Sequence, residues 1–376
     1  MDVGTHRSFL RGFATGSASF LQTPGWAAVK REWSAESLGW YDQDRLVGVA
    51  LVLFRRLPRS TRALAYVPEG PVLDWQAHDV ASVLTPLADH LREQRAFAIR
   101  IGPPVVIRRW SAAQVKAGIA DDAIPGLGAL DPTSSNDRGV DLIAGLARAG
   151  WRLQSADGGF AAGQPQFNFQ IPLVDEAGAA RDEESVLASM NQLWRRNIKK
   201  AAKAGVEVTR GGIDDLKDFH DLYVHTAERD HFTPRPLSYF ETMFAALDDA
   251  DPETGADCEI RLYLARHEDD LVAATIWIRS GRHVWYSYGA SSTEKREVRG
   301  SNAAQWQMIR DAIACGAHVY DLRGITETLD ADDPHVGLIQ FKVGTGGEAV
   351  EYAGEWDLPL NRLLYKGFQT YMNRRG

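Results

Sequence analysis

Cysteine is nearly missing from this chain. Its 376 residues include only Cys258 and Cys315. Neither has neighbours at metal-ligand spacing, so a disulfide framework and a zinc site are both unexpected, and both thiols read as structural. Clustered histidine is missing too. The ten histidines are scattered, with no HExxH or similar pair, so no metal and no cofactor are expected. No apolar run is long enough to span a bilayer. The opening residues, MDVGTHRSFLRGF, lack the apolar core and small-residue cleavage site of a secretory signal, so a cytoplasmic location is expected. Excess positive charge is also missing. The net charge is −8, so binding to an anionic partner must use a local basic patch. No Ser-His-Asp or Cys-His arrangement emerges, which argues against a covalent acyl-enzyme.

What remains is an ordinary globular composition, 44% hydrophobic and 24% charged. The length exceeds one typical core and predicts two domains. Most of the eleven tryptophans should be core. Two segments look alike. RLVGVALVLFRR from Arg45 is followed by ALAYVPEGPVL, the helical DVASVLTPLADHLREQ and the strand-like AFAIRIGPP. DLVAATIWIRS from Asp270 is followed by HVWYSYGASS, the helical AAQWQMIRDAIACG and HVYDLRGI. Leu46 aligns with Leu271 and Phe97 with His318 at nearly the same offset. Each copy reads strand, turn, strand, helix, strand. The first strands are near-continuous apolar runs, as expected of strands buried on both faces. An α/β (α+β) fold of two duplicated domains follows. Residues 105–140 read as an irregular insertion, DLIAGLARAGWRLQ as a helix closed by glycine, and QFNFQIPLV as a strand near the domain junction.

MNQLWRRNIKKAAKAG predicts a helix ended by Gly205. Arg195, Arg196, Lys199, Lys200 and Lys203 pair at spacings of four and line one side of it. Such a face serves either an anionic partner or plain solvation near a helix C-terminus.

The ordered motifs LWRRNIKKAAKAGVEV, ERDHFTPRPLSYF, VWYSYGAS, YDLRGI and GLIQFKVGTGGEAVEYAGEWDLPLNRLLY resemble the FemABX family. These are non-ribosomal peptidyltransferases that build peptidoglycan cross-bridges. The resemblance runs from about Pro24 to the C-terminus and is strongest after residue 190. It implies two tandem acetyltransferase-like (GNAT-type) domains, here 1–165 completed by a returning segment 354–376, and 166–353. It implies transfer of glycine, alanine or serine from aminoacyl-tRNA to a stem-peptide amine. The acceptor would be a UDP-MurNAc-peptide or a lipid-linked peptidoglycan precursor, the latter with transient contact to the inner membrane surface. No long helical hairpin interrupts the second domain, so the chain resembles the short form without a coiled-coil arm.

Position by position, the family's Phe-Lys pair matches Phe341 and Lys342, and the lysine would stabilise the reacting ester. Thr233, Arg235 and Tyr239 of TPRPLSY, Tyr288 of YSYGAS and Lys30 of WAAVK match acceptor-binding positions. Gly102 stands where such relatives often carry aspartate. The residues support these roles in their own right. A fixed cation suits a tetrahedral oxyanion, and arginine suits a pyrophosphate. Lys342 is expected at a strand end. Its bland alternative is a salt bridge to Glu348 or Glu351. For Arg235 the alternative is a carboxylate partner. Tyr286 and Tyr288, two apart in a strand, are expected on one face, with a core pair as the bland alternative. Rival functions are an acyl-CoA N-acyltransferase, for which EKREVRGSNAA (Glu294 to Ala304) is the nearest pyrophosphate loop, a natural-product aminoacyltransferase, and a non-catalytic RNA- or membrane-surface-binding module.

Overall fold

The computed structural model describes residues 1–13, 17–154, 163–248 and 258–373. The chain forms two compact units. One comprises Met1–Arg109, Asp131–Asn168 and Val350–Gly376; the other comprises Trp110–Leu130 and Phe169–Ala349.

In the first unit, Arg45–Arg56 pairs antiparallel with Ser34–Asp42 on one side and Ala63–Val67 on the other. Val49 to Leu53 are at most 2% exposed, all five in a row. Successive side chains of a strand point to opposite faces, so such a run must be covered on both. Val49 packs under Phe9, Leu10 and Phe13 of the first helix and its following residue, Val3–Gly12 and Phe13. Ala50 and Val52 pack under helix Val80–Glu93, whose Val83, Leu84, Leu87 and Leu91 repeat at helical spacing. Asp79 starts that helix by accepting the Ala81 and Ser82 backbone N–H groups. The helix carries the chain to Ala96–Ile101, which lies parallel to Ala63–Val67 over that strand's full length.

The chain returns to this unit at its end. Trp356–Pro359 pairs antiparallel with Ala96–Ile101 and with Arg152–Leu153. A polar cluster is buried there. Arg100 donates to both oxygens of Asp357 at 2.7 and 2.9 Å, Tyr365 Oη donates to Asp357 at 2.9 Å, and Tyr66 Oη donates to Glu355 at 2.5 Å. Burial pushes the Glu355 carboxyl up to about 7, although Arg100 opposes it.

The second unit repeats the plan. Cys258–His267, Asp270–Ser280 and His283–Ser291 form an antiparallel meander, helix Gly300–Ala314 crosses over, and Val319–Gly324 returns parallel to His283–Ser291. An added strand, Val206–Gly211, flanks Cys258–His267. Strand, strand, helix, strand thus occurs in the same order in both units, as the internal repeat predicts. One detail differs between the copies. His283–Trp285 pairs with Val319–Asp321, and beyond those three residues the two strands part. The notch they leave opens beside Tyr286–Ser291 and Arg323.

Two local expectations are corrected. Lys342 is not at a strand end; it lies in the last turn of helix Val336–Val343. Tyr286 and Tyr288 do not share a face. Tyr288 sits opposite Ile276 and Tyr286 opposite Trp277, so a bulge at Ser287 breaks the alternation. Tyr286 consequently turns towards Gln305 of the crossover helix, and Tyr288 towards Tyr239. A side chain at Gly289 would occupy the space of the Tyr286 hydroxyl. The bulge and the glycine therefore belong together.

Candidate active site

Lys342 is 4% exposed. Its ammonium donates to the Gly324 carbonyl at 2.6 Å and the Arg323 carbonyl at 3.1 Å. It makes neither of the expected carboxylate bridges: Glu351 instead accepts from Arg108. Two of the ammonium's three hydrogens are thus committed to neutral acceptors, and one remains. Burial pushes the lysine down to about 7, against the attraction of Asp321 and with the help of Arg323.

The two carbonyls are aimed by a turn. Arg323 holds a left-handed φ of 63° at the end of its strand. Asp321, fully buried, fixes that turn by accepting the Arg323 backbone N–H at 2.6 Å. Its other oxygen accepts from Gln170 at 2.9 Å and lies 3.2 Å from His283 Nε2. Burial works against this charge, but His283, Arg323 and Gln170 hold the carboxyl below its usual range. Asp321, Arg323, Gln170 and His283 are the residues that sequence reasoning missed. The only signal was the motif YDLRGI, which carries no periodicity to say which of its side chains is buried.

Helix Val336–Val343 is pinned by the basic helix, Gln192–Lys203. Trp194 Nε1 donates to the Phe341 carbonyl at 2.8 Å, and the two rings lie 4.8 Å apart. Gly344 leaves room for the Trp194 ring, and Gly346, at φ 75°, lets the chain pass against the Ser189 carbonyl. The glycine run after the lysine therefore serves close backbone approach. The basic helix starts on Asn191, which accepts the Trp194 N–H, and ends before Gly205 at φ 79°. Trp194, Asn197 and Ala201 are buried. Arg195, Arg196, Lys199, Lys200 and Lys203 are all exposed on the remaining face. None has an ion-pair partner among the described residues.

Three of the expected acceptor residues come together. Tyr288 Oη donates to Tyr239 Oη at 3.2 Å, and the Arg235 guanidinium lies 5.4 Å from the Tyr239 ring centre. Tyr223 and Phe240 back this group with edge-to-face contacts to Tyr288 and to each other. Thr233 and Arg235 are exposed on the loop between helices Leu216–Asp230 and Leu237–Leu247, and the described residues include no carboxylate partner for Arg235. Burial pushes the Tyr288 hydroxyl well above its usual range and Tyr239 adds to this, while Arg235 and Arg323 pull the other way. Arg323 is thus within electrostatic reach of both Tyr288 and Lys342. Lys342 holds carbonyls at the end of one of the two strands that part, Val319–Gly324, and Tyr288 belongs to the other, His283–Ser291. Lys30 lies in the first unit, at the end of helix Pro24–Val29 and 5.1 Å from the Trp26 ring centre. Gly102 also lies there, where a side chain would contact Glu355. An open cleft of about 480 Å³ lined by Asp218, His225, Arg266 and Glu294 contains none of the expected site residues.

Known proteins resemble this chain along almost its whole length. The lipid II:glycine glycyltransferase of Staphylococcus saprophyticus is 24% identical over 418 residues, covering 96% of this chain and 92% of its own. The protein of the same name from Staphylococcus aureus strain USA300 is 25% identical over 423 residues, with the same coverage. The crystal structure of FemX superposes with a TM-score of 0.77 at 23% identity, covering 97% of this chain and 98% of that one. A Bacteroides thetaiotaomicron protein of unknown function shares the fold more loosely, with a TM-score of 0.53 at 11% identity and coverage of 95% and 98%. The FemAB family model matches residues 5–251 and 259–373. With the duplicated architecture, the lysine helix and the notch already in place, these matches leave one conclusion: the chain belongs to the FemAB family.

Proposed function

We propose that this chain is an aminoacyltransferase that moves glycine, alanine or serine from aminoacyl-tRNA to a stem-peptide amine of a lipid-linked peptidoglycan precursor. The observation that carries the reading is Lys342: a buried cation held by two carbonyls, with one N–H left, beside the strand notch. The likeness to the staphylococcal lipid II:glycine glycyltransferases favours a lipid-linked acceptor and glycine.

In the reaction, the acceptor amine attacks the ester carbonyl carbon and forms the new C–N bond. The carbonyl oxygen becomes an oxyanion, and the remaining Lys342 N–H donates to it. The ester C–O bond then breaks, and the ribose oxygen leaves as an alcohol carrying the proton that the amine gives up. A preorganised donor in a dry site is worth far more than one in water. Phe341 packs on Trp194 beside the lysine and helps exclude water. Arg235 holds the acceptor pyrophosphate through its planar fork. Thr233, Tyr239, Tyr288 and Lys30 contribute the other acceptor contacts. Arg195, Arg196, Lys199, Lys200 and Lys203 hold the tRNA backbone. The two proposed domains are 1–165 with 354–376, and 166–353; they differ from the compact units chiefly in where Trp110–Leu130 is assigned, which clusters with the second unit.

An acyl-CoA donor is disfavoured by the loop before helix Gly300–Ala314. Its Lys295 is tied to both Glu268 and Asp270 at 2.6 Å, so that cation is committed within the protein. The test incubates the protein with tRNA charged with glycine, alanine or serine, together with lipid-linked or nucleotide-linked precursor. Mass spectrometry should report one added residue on the lipid-linked acceptor. Modification of the nucleotide-linked form alone, or transfer from acyl-CoA without tRNA, would replace this reading.

A further inference from the structure

The C-terminal helix Arg362–Asn373 shows more hydrophobic surface than its packing requires. It docks on the first unit through Tyr365, which is 2% exposed, and through half-buried Phe368, over Leu64, Phe97 and Ala98. A second apolar stripe is left outside. Leu363, Gly367 and Tyr371 recur at intervals of four, with Leu364 beside them, so they share one side of the helix. Leu363 is 84% exposed and Tyr371 49%, with Leu364 and Met372 at 36% and 37%. No other helix among the described residues carries as many exposed large hydrophobic side chains.

The charge around this stripe is also distinctive. From Leu358 to Asn373 there is no aspartate or glutamate, while Arg362 and Lys366 supply cations, in a chain of net charge −8. An apolar stripe flanked by cations, with an amphipathic tyrosine, is the composition that lies flat in a lipid–water interface. A second copy would bring an equally basic stripe, so an anionic surface complements this one better.

We propose that helix Arg362–Asn373 is a docking element for an anionic lipid bilayer, seating Leu363, Leu364 and Tyr371 among the headgroups with Arg362 and Lys366 on lipid phosphates. The inference takes its purpose from the lipid-linked acceptor proposed above, but the binding itself needs no transfer. The helix would bring the enzyme to the surface that holds such an acceptor, without a spanning segment.

The test is co-sedimentation of the full-length protein with vesicles of phosphatidylglycerol and phosphatidylcholine, against vesicles of phosphatidylcholine alone. Wild type should bind the anionic vesicles more tightly and lose binding as salt rises. Each cation near the surface is worth about fivefold, so Arg362→Gln with Lys366→Gln should weaken binding roughly 25-fold. Leu363→Glu with Tyr371→Glu should abolish it, while the circular dichroism spectrum, the melting midpoint and transfer to a soluble stem-peptide acceptor stay unchanged. Leu363→Phe should retain binding. Equal binding by wild type and the double-glutamate variant would overturn the proposal. So would a failure of wild type to bind anionic vesicles. Sedimentation equilibrium separates the remaining occupant: self-association lost in Leu363→Glu, without vesicle binding, would give the stripe to a second copy and overturn the proposal too. Vesicle binding without any transfer activity would leave the docking helix standing and remove the proposed reaction instead.

Discussion

A lysine buried among carbonyls is costly to charge, and the cost shows in its affinity for protons. Lys342 sits near 7 because burial removes its water and only Asp321 attracts it from nearby. Replacing it with methionine keeps the length and removes the charge. Turnover at saturating donor and acceptor should fall about 10²–10³-fold, the usual cost of one oxyanion donor, with the protein still folded. Near-normal turnover would remove Lys342 from the chemistry. If the charged form is the one used, kcat/KM for wild type should decline as pH rises through about 7, and that limb should be absent from the residual activity of Lys342→Met. Arg235 stands on an exposed loop and should act by binding alone. Arg235→Ala is expected to raise the acceptor KM and leave the donor KM and kcat in place. An unchanged acceptor KM would assign this arginine to the loop's own structure.

Among the elements, the basic helix was the easiest to read in the sequence and the lysine helix the hardest. Trp194, Asn197 and Ala201 recur on a helical face, so the buried side follows from spacing and the cations must lie opposite. In GLIQFKVG, by contrast, apolar residues run without clear period, and the turn that closes the helix leans on a distant partner. The Phe341 carbonyl is satisfied by the Trp194 indole, far away in sequence. The face that carries Arg195 to Lys203 should bind phosphate. Neutralising Lys199, Lys200 and Lys203 together should weaken tRNA binding and flatten its salt dependence by roughly 0.7–0.9 for each phosphate that the helix no longer neutralises. Transfer from an amino acid esterified to a short acceptor-end fragment should be nearly unaffected. Superimposable salt slopes for wild type and the triple variant would mean that the helix face is merely solvated.

For the molecule as a whole, the buried acid of the first unit sets a testable pH dependence. Glu355 binds its proton up to about 7 when folded and releases it near 4.5 when unfolded. Between those values the folded chain holds more protons than the unfolded one, so this group's contribution is present below 4.5 and is lost as pH rises to 7. Denaturation of Glu355→Gln and wild type across that window should show wild type losing ground as pH rises, by a few kcal/mol on the order expected for such a shift. Parallel curves would mean that Glu355 is ionised throughout. The sequence by itself determined the duplicated plan, because buried strands and amphipathic helices announce themselves through nearest neighbours on one element. The resemblance of its ordered motifs to the FemABX family also marked Lys342, Arg235, Tyr239 and Tyr288 as candidates. Tertiary structure alone decided what surrounds them. The bulge that sends Tyr286 and Tyr288 to opposite faces depends on an extra residue facing another strand. The carbonyl cradle of Lys342 depends on a left-handed turn that Asp321 fixes in company with Gln170 and His283, residues brought together from three strands. Such contacts join positions far apart along the chain, and no local periodicity encodes them.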